Sequence, residues 1–123
     1  MTPTDLHFVN IKALALAVTD FDRALRFYTD TLSLRPAREG DQQVGVHLGD
    51  AVLLFKTDAG QPSATLNPRV TVQTDDAPKM EAALRARGVT IADPVERYGE
   101  ASVGSFLDSE GNKLWFCSGP GPK

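Results

Sequence analysis

The chain has 123 residues, 41% of them hydrophobic and 24% charged, which suits one soluble globular domain with a single core. Its formal net charge of −3 at pH 7 and its scattered Lys and Arg residues argue against nucleic acid as a partner. The single cysteine excludes an internal disulfide, and without an apolar run of roughly 20 residues or a signal-peptide pattern we expect a cytoplasmic protein with no membrane partner.

The first predicted unit is a strand followed by a helix. From Ala13 to Val18 small and bulky apolar residues alternate, which predicts a strand with one small and one bulky face. From Phe21 to Leu32 apolar residues recur three and four positions apart, which predicts an amphipathic helix. Asp20 stands where an N-cap carboxylate accepts a free backbone N–H. We therefore expect the helix to begin directly after Asp20.

A hairpin is predicted after the first helix. A short strand from Leu34 to Glu39 contains a proline, which favours a sheet edge. Gly49-Asp50 separates two apolar runs, and the glycine supplies the positive φ of a two-residue hairpin turn. This turn sets the register of the two strands. The predicted pairs are Leu48 with Ala51, His47 with Val52, Val46 with Leu53, and Gly45 with Leu54.

The same order of elements begins again after a loop at residues 58–68, which is rich in turn formers. Arg69 to Thr74 alternates as a strand does, and Asp75-Asp76 caps a predicted helix that ends at Gly88. A short strand is predicted from Val89 to Ile91. The chain therefore repeats the order strand, aspartate cap, helix, strand.

The end of the chain predicts a closing hairpin. Ala92 to Glu100 contains Pro and Gly and predicts an irregular connection. Ala101–Leu107 and Lys113–Ser118 are predicted strands, joined by a turn at Asp108–Asn112. The chain thus predicts an α+β fold of two βαβββ modules within one domain, residues 1–123. We place the first module at residues 8–57 and the second at 69–118.

Two pieces of this sequence carry a family pattern. They are Asp20 with Phe27-Tyr28 seven residues on, and Phe106 followed by Asp108, Gly111 and Asn112. With the repeated modules, they resemble the vicinal-oxygen-chelate superfamily, which includes glyoxalase I, extradiol dioxygenases, fosfomycin-resistance enzymes and bleomycin-resistance proteins. Members usually have proline where this chain has Ser109. The resemblance implies a curved mixed sheet around an open cavity, and a homodimer that often completes it.

The metal-using members of that superfamily carry ligands on the first and last strands of each module. By the resemblance, those four positions fall on Ala13, Leu54, Arg69 and Trp115. Because a metal needs about three or four N, O or S ligands, we expect no metal and no cofactor. A different metal site stays open as an alternative. It would pair His7 and His47 with a loop carboxylate such as Glu96 or Glu100.

Strand parity combined with the resemblance predicts the ligand-binding residues. They are Ala13, Ala15, His47, Leu54, Arg69, Thr71, Gln73, Ser105 and Trp115, with Tyr98 at the mouth. This lining is typical of a site for a flat, partly aromatic ligand, with Trp115 stacking and Arg69 or Gln73 binding a carboxylate or carbonyl. In the alternative interpretation, Trp115 fills a core or dimer contact and Arg69 is an exposed cation.

Three functional hypotheses follow from the resemblance and this lining. The first is a metal-free binding module of the bleomycin-resistance type, which holds a small drug or metabolite and confers antibiotic resistance if that ligand is a drug. Arg69 and Lys56 in the lining favour a neutral or anionic ligand. The second is a lyase or dioxygenase with relocated metal ligands, or a metal-free acid–base catalyst using His47 or Glu100. The third is a protein whose sheet serves only dimerisation or partner binding.

Overall fold

The structure is a computed structural model and describes residues 10–119. The first module consists of β1 (Ala13–Ala17), α1 (Phe21–Arg26) with a π-helical turn (Phe27–Thr31), β2 (Pro36–Glu39), β3 (Gln42–Leu48) and β4 (Ala51–Lys56). The second consists of β5 (Thr71–Gln73), α2 (Ala77–Ala86), β6 (Ile91–Tyr98), β7 (Ala101–Leu107) and β8 (Lys113–Ser118). No helix within residues 10–119 is both long and apolar enough to cross a membrane.

The strands form two four-stranded mixed sheets with the same topology. The strand order is β1-β4-β3-β2 in the first sheet and β5-β8-β7-β6 in the second. The first strand of each module pairs in parallel with the last, and all other neighbours are antiparallel. The predicted α+β fold of two βαβββ modules is therefore confirmed. The module boundaries, whose first residues 8 and 9 lie outside the described part of the chain, stay predictions.

The hairpin register and the helix caps agree with the sequence patterns. His47 lies opposite Val52 and Leu48 opposite Ala51, as the two-residue turn at Gly49 requires. The φ angle of Gly49 is 61°, which glycine adopts without steric cost. The carboxylate of Asp20 accepts a hydrogen bond from the Arg23 N–H, and Asp76 caps α2 in the same way. These features depend on neighbouring residues in the chain, which explains why they could be predicted.

The prediction of an irregular connection from Ala92 to Glu100 is wrong. Strand β6 occupies most of that segment and pairs with β7, with register shifts on either side of Asp93. Pro94 fits within it because β6 is an edge strand, where one side of the backbone needs no sheet hydrogen bond. Proline and glycine usually interrupt regular structure, whereas here proline accompanies a bulged edge strand.

The two modules share one apolar core. Buried residues beneath α1, such as Leu16 and Phe55, belong to the same cluster as Leu84 on α2 and Phe116 beneath it. Leu14 and Leu16 face this core, while Ala13 and Ala15 on the opposite face of β1 are exposed. The bulky face of the first strand therefore packs inward, and the small face remains open at Ala13 and Ala15, whereas Ala17 is buried.

A buried polar contact connects the modules through the turn between β7 and β8. The Tyr28 hydroxyl donates to Asp108 Oδ2 at 2.8 Å, and burial raises the pKa of Tyr28, which keeps the hydroxyl protonated. Asn112 donates from Nδ2 to the Ala17 carbonyl at 2.8 Å and accepts from the Ser63 N–H at 2.9 Å. Every buried side-chain N or O atom in residues 10–119 has a hydrogen-bond partner.

The carboxylate of Glu110 adds a charged contact between the same turn and the start of α1. It accepts hydrogen bonds from the Thr19 N–H and hydroxyl, the Asp20 N–H, and the Arg23 guanidinium at 2.7 Å. The Glu110 side chain is fully buried, although Arg23 is half exposed. The Arg23 guanidinium and these N–H donors lower the pKa of Glu110 to about 2.

We expect Glu110→Gln to lower the free energy of unfolding by about 2 kcal/mol at pH 7, because it removes a charge-assisted network. Since the folded-state pKa of about 2 lies below the ordinary value of 4.5, the stabilisation is complete above pH 4.5 and is lost as the pH falls towards 2. Urea unfolding of both proteins between pH 7 and 2 measures this. An equal pH dependence of the free energy of unfolding in the two proteins would contradict this prediction. Glu39→Gln, which changes an exposed carboxylate, is the control.

The end of the π-helical turn contains a strained residue. Ser33 has φ of 63° and is the one non-glycine residue with positive φ in residues 10–119. It follows Leu32, the C-cap of that turn, and the next N–H, from Leu34, donates back to the Tyr28 carbonyl at 2.9 Å. A left-handed residue after a helix is usually glycine, because a Cβ is disfavoured there.

Ser33→Gly should therefore stabilise the protein, by about 0.5–1 kcal/mol, because relief of the left-handed strain exceeds the entropy that glycine adds to the unfolded chain. Chemical denaturation measures the difference. Ser102→Gly in β7 is the matched control and is expected to destabilise, since a glycine weakens a regular strand. A loss of stability in Ser33→Gly would show that its hydroxyl matters more than its backbone angle.

Candidate functional site

Each sheet has one face covered by its helix and one open face. Because residues directly opposite each other on neighbouring strands point to the same face, the registers define rows of side chains across the sheets. On the second sheet, one open-face row consists of Thr71, Trp115, Ser105 and Asp93. On the first sheet, the equivalent rows are Ala13 with Val52 and His47, and Ala15 with Leu54 and Gly45. The polar and aromatic groups are thus concentrated on the second sheet.

Trp115 is the centre of a cluster of cations on this open face. It is half-buried, with the Arg69 Cζ atom 4.3 Å and the Lys113 Nζ atom 4.9 Å from its ring centroid. The three side chains line a cavity of about 190 Å³ together with residues 64–66 of the loop before β5. An indole ring attracts cations through its negative face, so Trp115 holds the two positive charges close to its ring.

Asp93 fixes one of these cations and is not among the site residues predicted from the sequence. Its carboxylate lies 2.8 Å from Lys113 Nζ and also accepts a hydrogen bond from the hydroxyl of Ser105, which is fully buried. Hydrogen bonds from Lys113 and Ser105 lower the pKa of Asp93. Asp93 was missed because it lies in the segment predicted to be irregular. No local pattern in the sequence marks it as a partner of Lys113.

Comparison with known families identifies the fold. Residues 10–116 match the model of the Glyoxalase/Bleomycin resistance protein/Dioxygenase superfamily. The chain belongs to this superfamily. A search of curated proteins by sequence found no match.

Solved structures of the superfamily share this architecture. The antibiotic-binding protein TnmS3 from Streptomyces sp. CB03234 is 18% identical with a TM-score of 0.74, covering 94% of this chain and 99% of its own. A lactoylglutathione lyase from Agrobacterium tumefaciens is 19% identical with a TM-score of 0.69, covering 96% of both chains. A superfamily member from Sphaerobacter thermophilus DSM 20745 is 21% identical with a TM-score of 0.73, covering 92% and 99%. At these identities the likeness shows the fold alone.

At the four positions where the resemblance places metal ligands, the side chains do not fit a metal. Ala13, Leu54, Arg69 and Trp115 supply no carboxylate, imidazole or thiolate. Within residues 10–119, no three His, Cys, Asp or Glu side chains are grouped as a metal would require. His7, one member of the alternative site that the sequence left open, lies outside the described residues.

The other predicted site residues are distributed over several places. Arg69 and Trp115 line the 190 Å³ cavity, whereas Gln73 lines a larger one between the modules. Thr71 and Ser105 share the open-face row of Trp115. The other predicted residues on strands lie on the first sheet and are Ala13, Ala15, His47 and Leu54. Tyr98 is 62% exposed at the end of β6, where its hydroxyl donates to Glu96. Neither of the two cavities combines open-face residues from both sheets.

The larger cavity, about 330 Å³, lies between the π-helical turn of the first module and α2 of the second. Its lining is mainly aliphatic and includes Leu34, Leu48, Val72 and Met80. No pattern in the sequence predicts this cavity. It is bordered by segments far apart in the chain, and the pattern of a single helix or strand carries no signal for such a gap.

Proposed function

We propose that this superfamily member binds a small, partly aromatic organic ligand with an acidic or carbonyl group, without a metal, on the open face around Trp115. The observation that supports the proposal is the half-buried Trp115 with Arg69 and Lys113 over its ring, at the edge of a 190 Å³ cavity. Aromatic surface beside a few placed polar groups is the usual composition of a small-molecule site.

The charges in this cluster favour an anionic group. Lys113 is paired with Asp93, whereas Arg69 makes no ion pair with a carboxylate in the described residues. Two cations therefore face one carboxylate. A guanidinium binds a carboxylate through two parallel N–H donors, which gives both affinity and orientation.

The position of Arg69 implies how the ligand enters. Its guanidinium lies over the indole ring, so a ligand ring can stack on that face only after Arg69 moves. In our proposal the acidic group of the ligand draws Arg69 away from the ring, and the aromatic part takes the place of the guanidinium. Cation–π contact is thus exchanged for a charge-assisted hydrogen bond and ring stacking.

A drug or a metabolite of this chemistry is the ligand class that we propose, and resistance is the biological role if the ligand is a drug. TnmS3, described as an antibiotic-binding protein, has the same fold.

Acid–base catalysis at this site has less support, because the lowered pKa of Asp93 and its pairing with Lys113 keep that carboxylate charged and occupied.

We also propose a homodimer in which a second copy covers the open faces. Leu54, Val52 and Trp115 are only partly buried there, beside the exposed Ala13 and Ala15. An open face with such apolar area is a common feature of protein interfaces. Sedimentation equilibrium should give twice the chain mass for the wild type and a monomer for Leu54→Glu. A monomeric wild type would contradict the dimer.

The anion preference predicts a difference between two matched probes. Trp115 is the single tryptophan, so its fluorescence reports binding of p-nitrobenzoate and of the neutral p-nitrobenzamide. We expect the acid to bind about tenfold more tightly, and Arg69→Gln to remove that difference, because it removes one charge-assisted contact. Equal affinities of the wild type for both probes would contradict the role of Arg69.

Two further variants complete this experiment. Arg26→Gln, an exposed cation on α1, should leave both affinities unchanged. Trp115→Ala should weaken binding by about 1–3 kcal/mol in calorimetry, as loss of an aromatic anchor does, while circular dichroism shows an intact fold. Unfolding of Trp115→Ala would instead identify Trp115 as a core residue.

A further inference from the structure

The 330 Å³ cavity between the modules is separate from the Trp115 site. Phe106 and Leu114 line this cavity and alternate along β7 and β8 with Ser105 and Trp115. Successive side chains of a strand point to opposite faces, so these two residues lie on the helix-covered side of the sheet. Apart from Gln73 on the edge strand β5, a molecule in this cavity therefore contacts a different surface from a ligand on the open face.

The chemistry of the lining is apolar with one permanent charge. Arg87 lines the cavity, and no Asp, Glu or Lys does. Its Nη1 atom donates to the Ala83 carbonyl at 3.1 Å, and it makes no ion pair among the described residues. Its other N–H donors are therefore open to an anion. Ser33, Ala83 and Arg87 are exposed, which gives the cavity access from solvent.

The backbone around the cavity is also unusual. The π-helical turn Phe27–Thr31 and the left-handed Ser33 form part of its first-module wall. π-Helical turns are rare and are often found at functional sites, as are residues held at strained angles. Met80 on the opposite wall is a flexible apolar side chain that adapts to ligands of different shape. The volume lies at the lower end of the roughly 300–1,000 Å³ typical of small-molecule sites.

We propose that this cavity is a second binding site, for a small apolar monocarboxylate. The hydrocarbon part lies between α2 and the first module, and the carboxylate pairs with Arg87. Because the ligand contacts both modules, its binding stabilises their association, and the melting temperature rises with ligand concentration.

Decanoate is the probe, and n-decanol is the matched neutral probe, with both titrated by calorimetry below their aggregation concentrations. We expect one decanoate per chain, decanol bound about tenfold more weakly, and equal affinities after Arg87→Gln. Ala83→Phe places a ring in the cavity and should reduce decanoate affinity at least tenfold. Ala82→Phe, on α2 but outside the lining, and Arg26→Gln are the matched controls and should bind decanoate as the wild type does.

The proposal would be overturned by no decanoate binding to the wild type, by equal binding of decanoate and decanol, or by full affinity in a folded Ala83→Phe. Arg87 is exposed, so Arg87→Gln tests the charge even where Ala83→Phe fails to fold. Saturating p-nitrobenzoate should leave decanoate affinity unchanged, and direct competition between them would also overturn a separate site. Failure of the decanoate experiment leaves the Trp115 proposal intact, because the two sites lie on opposite faces of the second sheet.

Discussion

The hydrogen bond between Tyr28 and Asp108 is the contact on which the rest of this fold depends. It connects the helix of the first module to the turn between the last two strands of the second, and both groups are buried. Asp108 also accepts the N–H groups of Glu110 and Asn112, which shapes the turn that presents both side chains to β1 and α1. Loss of the Asp108 carboxylate would leave the buried Tyr28 hydroxyl without its acceptor, which costs more than the net value of one hydrogen bond.

The two modules share a topology but differ in chemistry. The row Ala15, Leu54, Gly45 on the first sheet has no charged group, whereas its counterpart Thr71, Trp115, Ser105, Asp93 includes a carboxylate held by Lys113. Repeated modules need the same apolar pattern on the helix side to share a core. The open faces carry no such requirement, so they can differ. The proposed ligand chemistry therefore belongs to the second module.

Membership in the superfamily defines the architecture and leaves the activity to be argued from side chains. Enzymes and binding proteins occur among the solved structures with this fold. The four positions where the resemblance places metal ligands hold Ala13, Leu54, Arg69 and Trp115, none of which supplies a suitable donor. The last two instead form a cation–π pair. In our proposal this pair, at two of the four positions, supports recognition of an organic anion.

The sequence by itself determined the two modules, the caps at Asp20 and Asp76, and the register of the Gly49 hairpin, because each depends on residues within a few positions of one another. Strand parity and the family resemblance also predicted Trp115 and Arg69 as ligand-binding residues. Only the tertiary structure decided that Arg69 covers the indole ring, that Asp93 holds Lys113, and that a cavity lies between the modules. Those features join residues 20 or more positions apart, such as Asp93 and Lys113. Their geometry is set by the pairing of strands and the packing of the modules, and the local periodicity of the sequence does not reveal either of these.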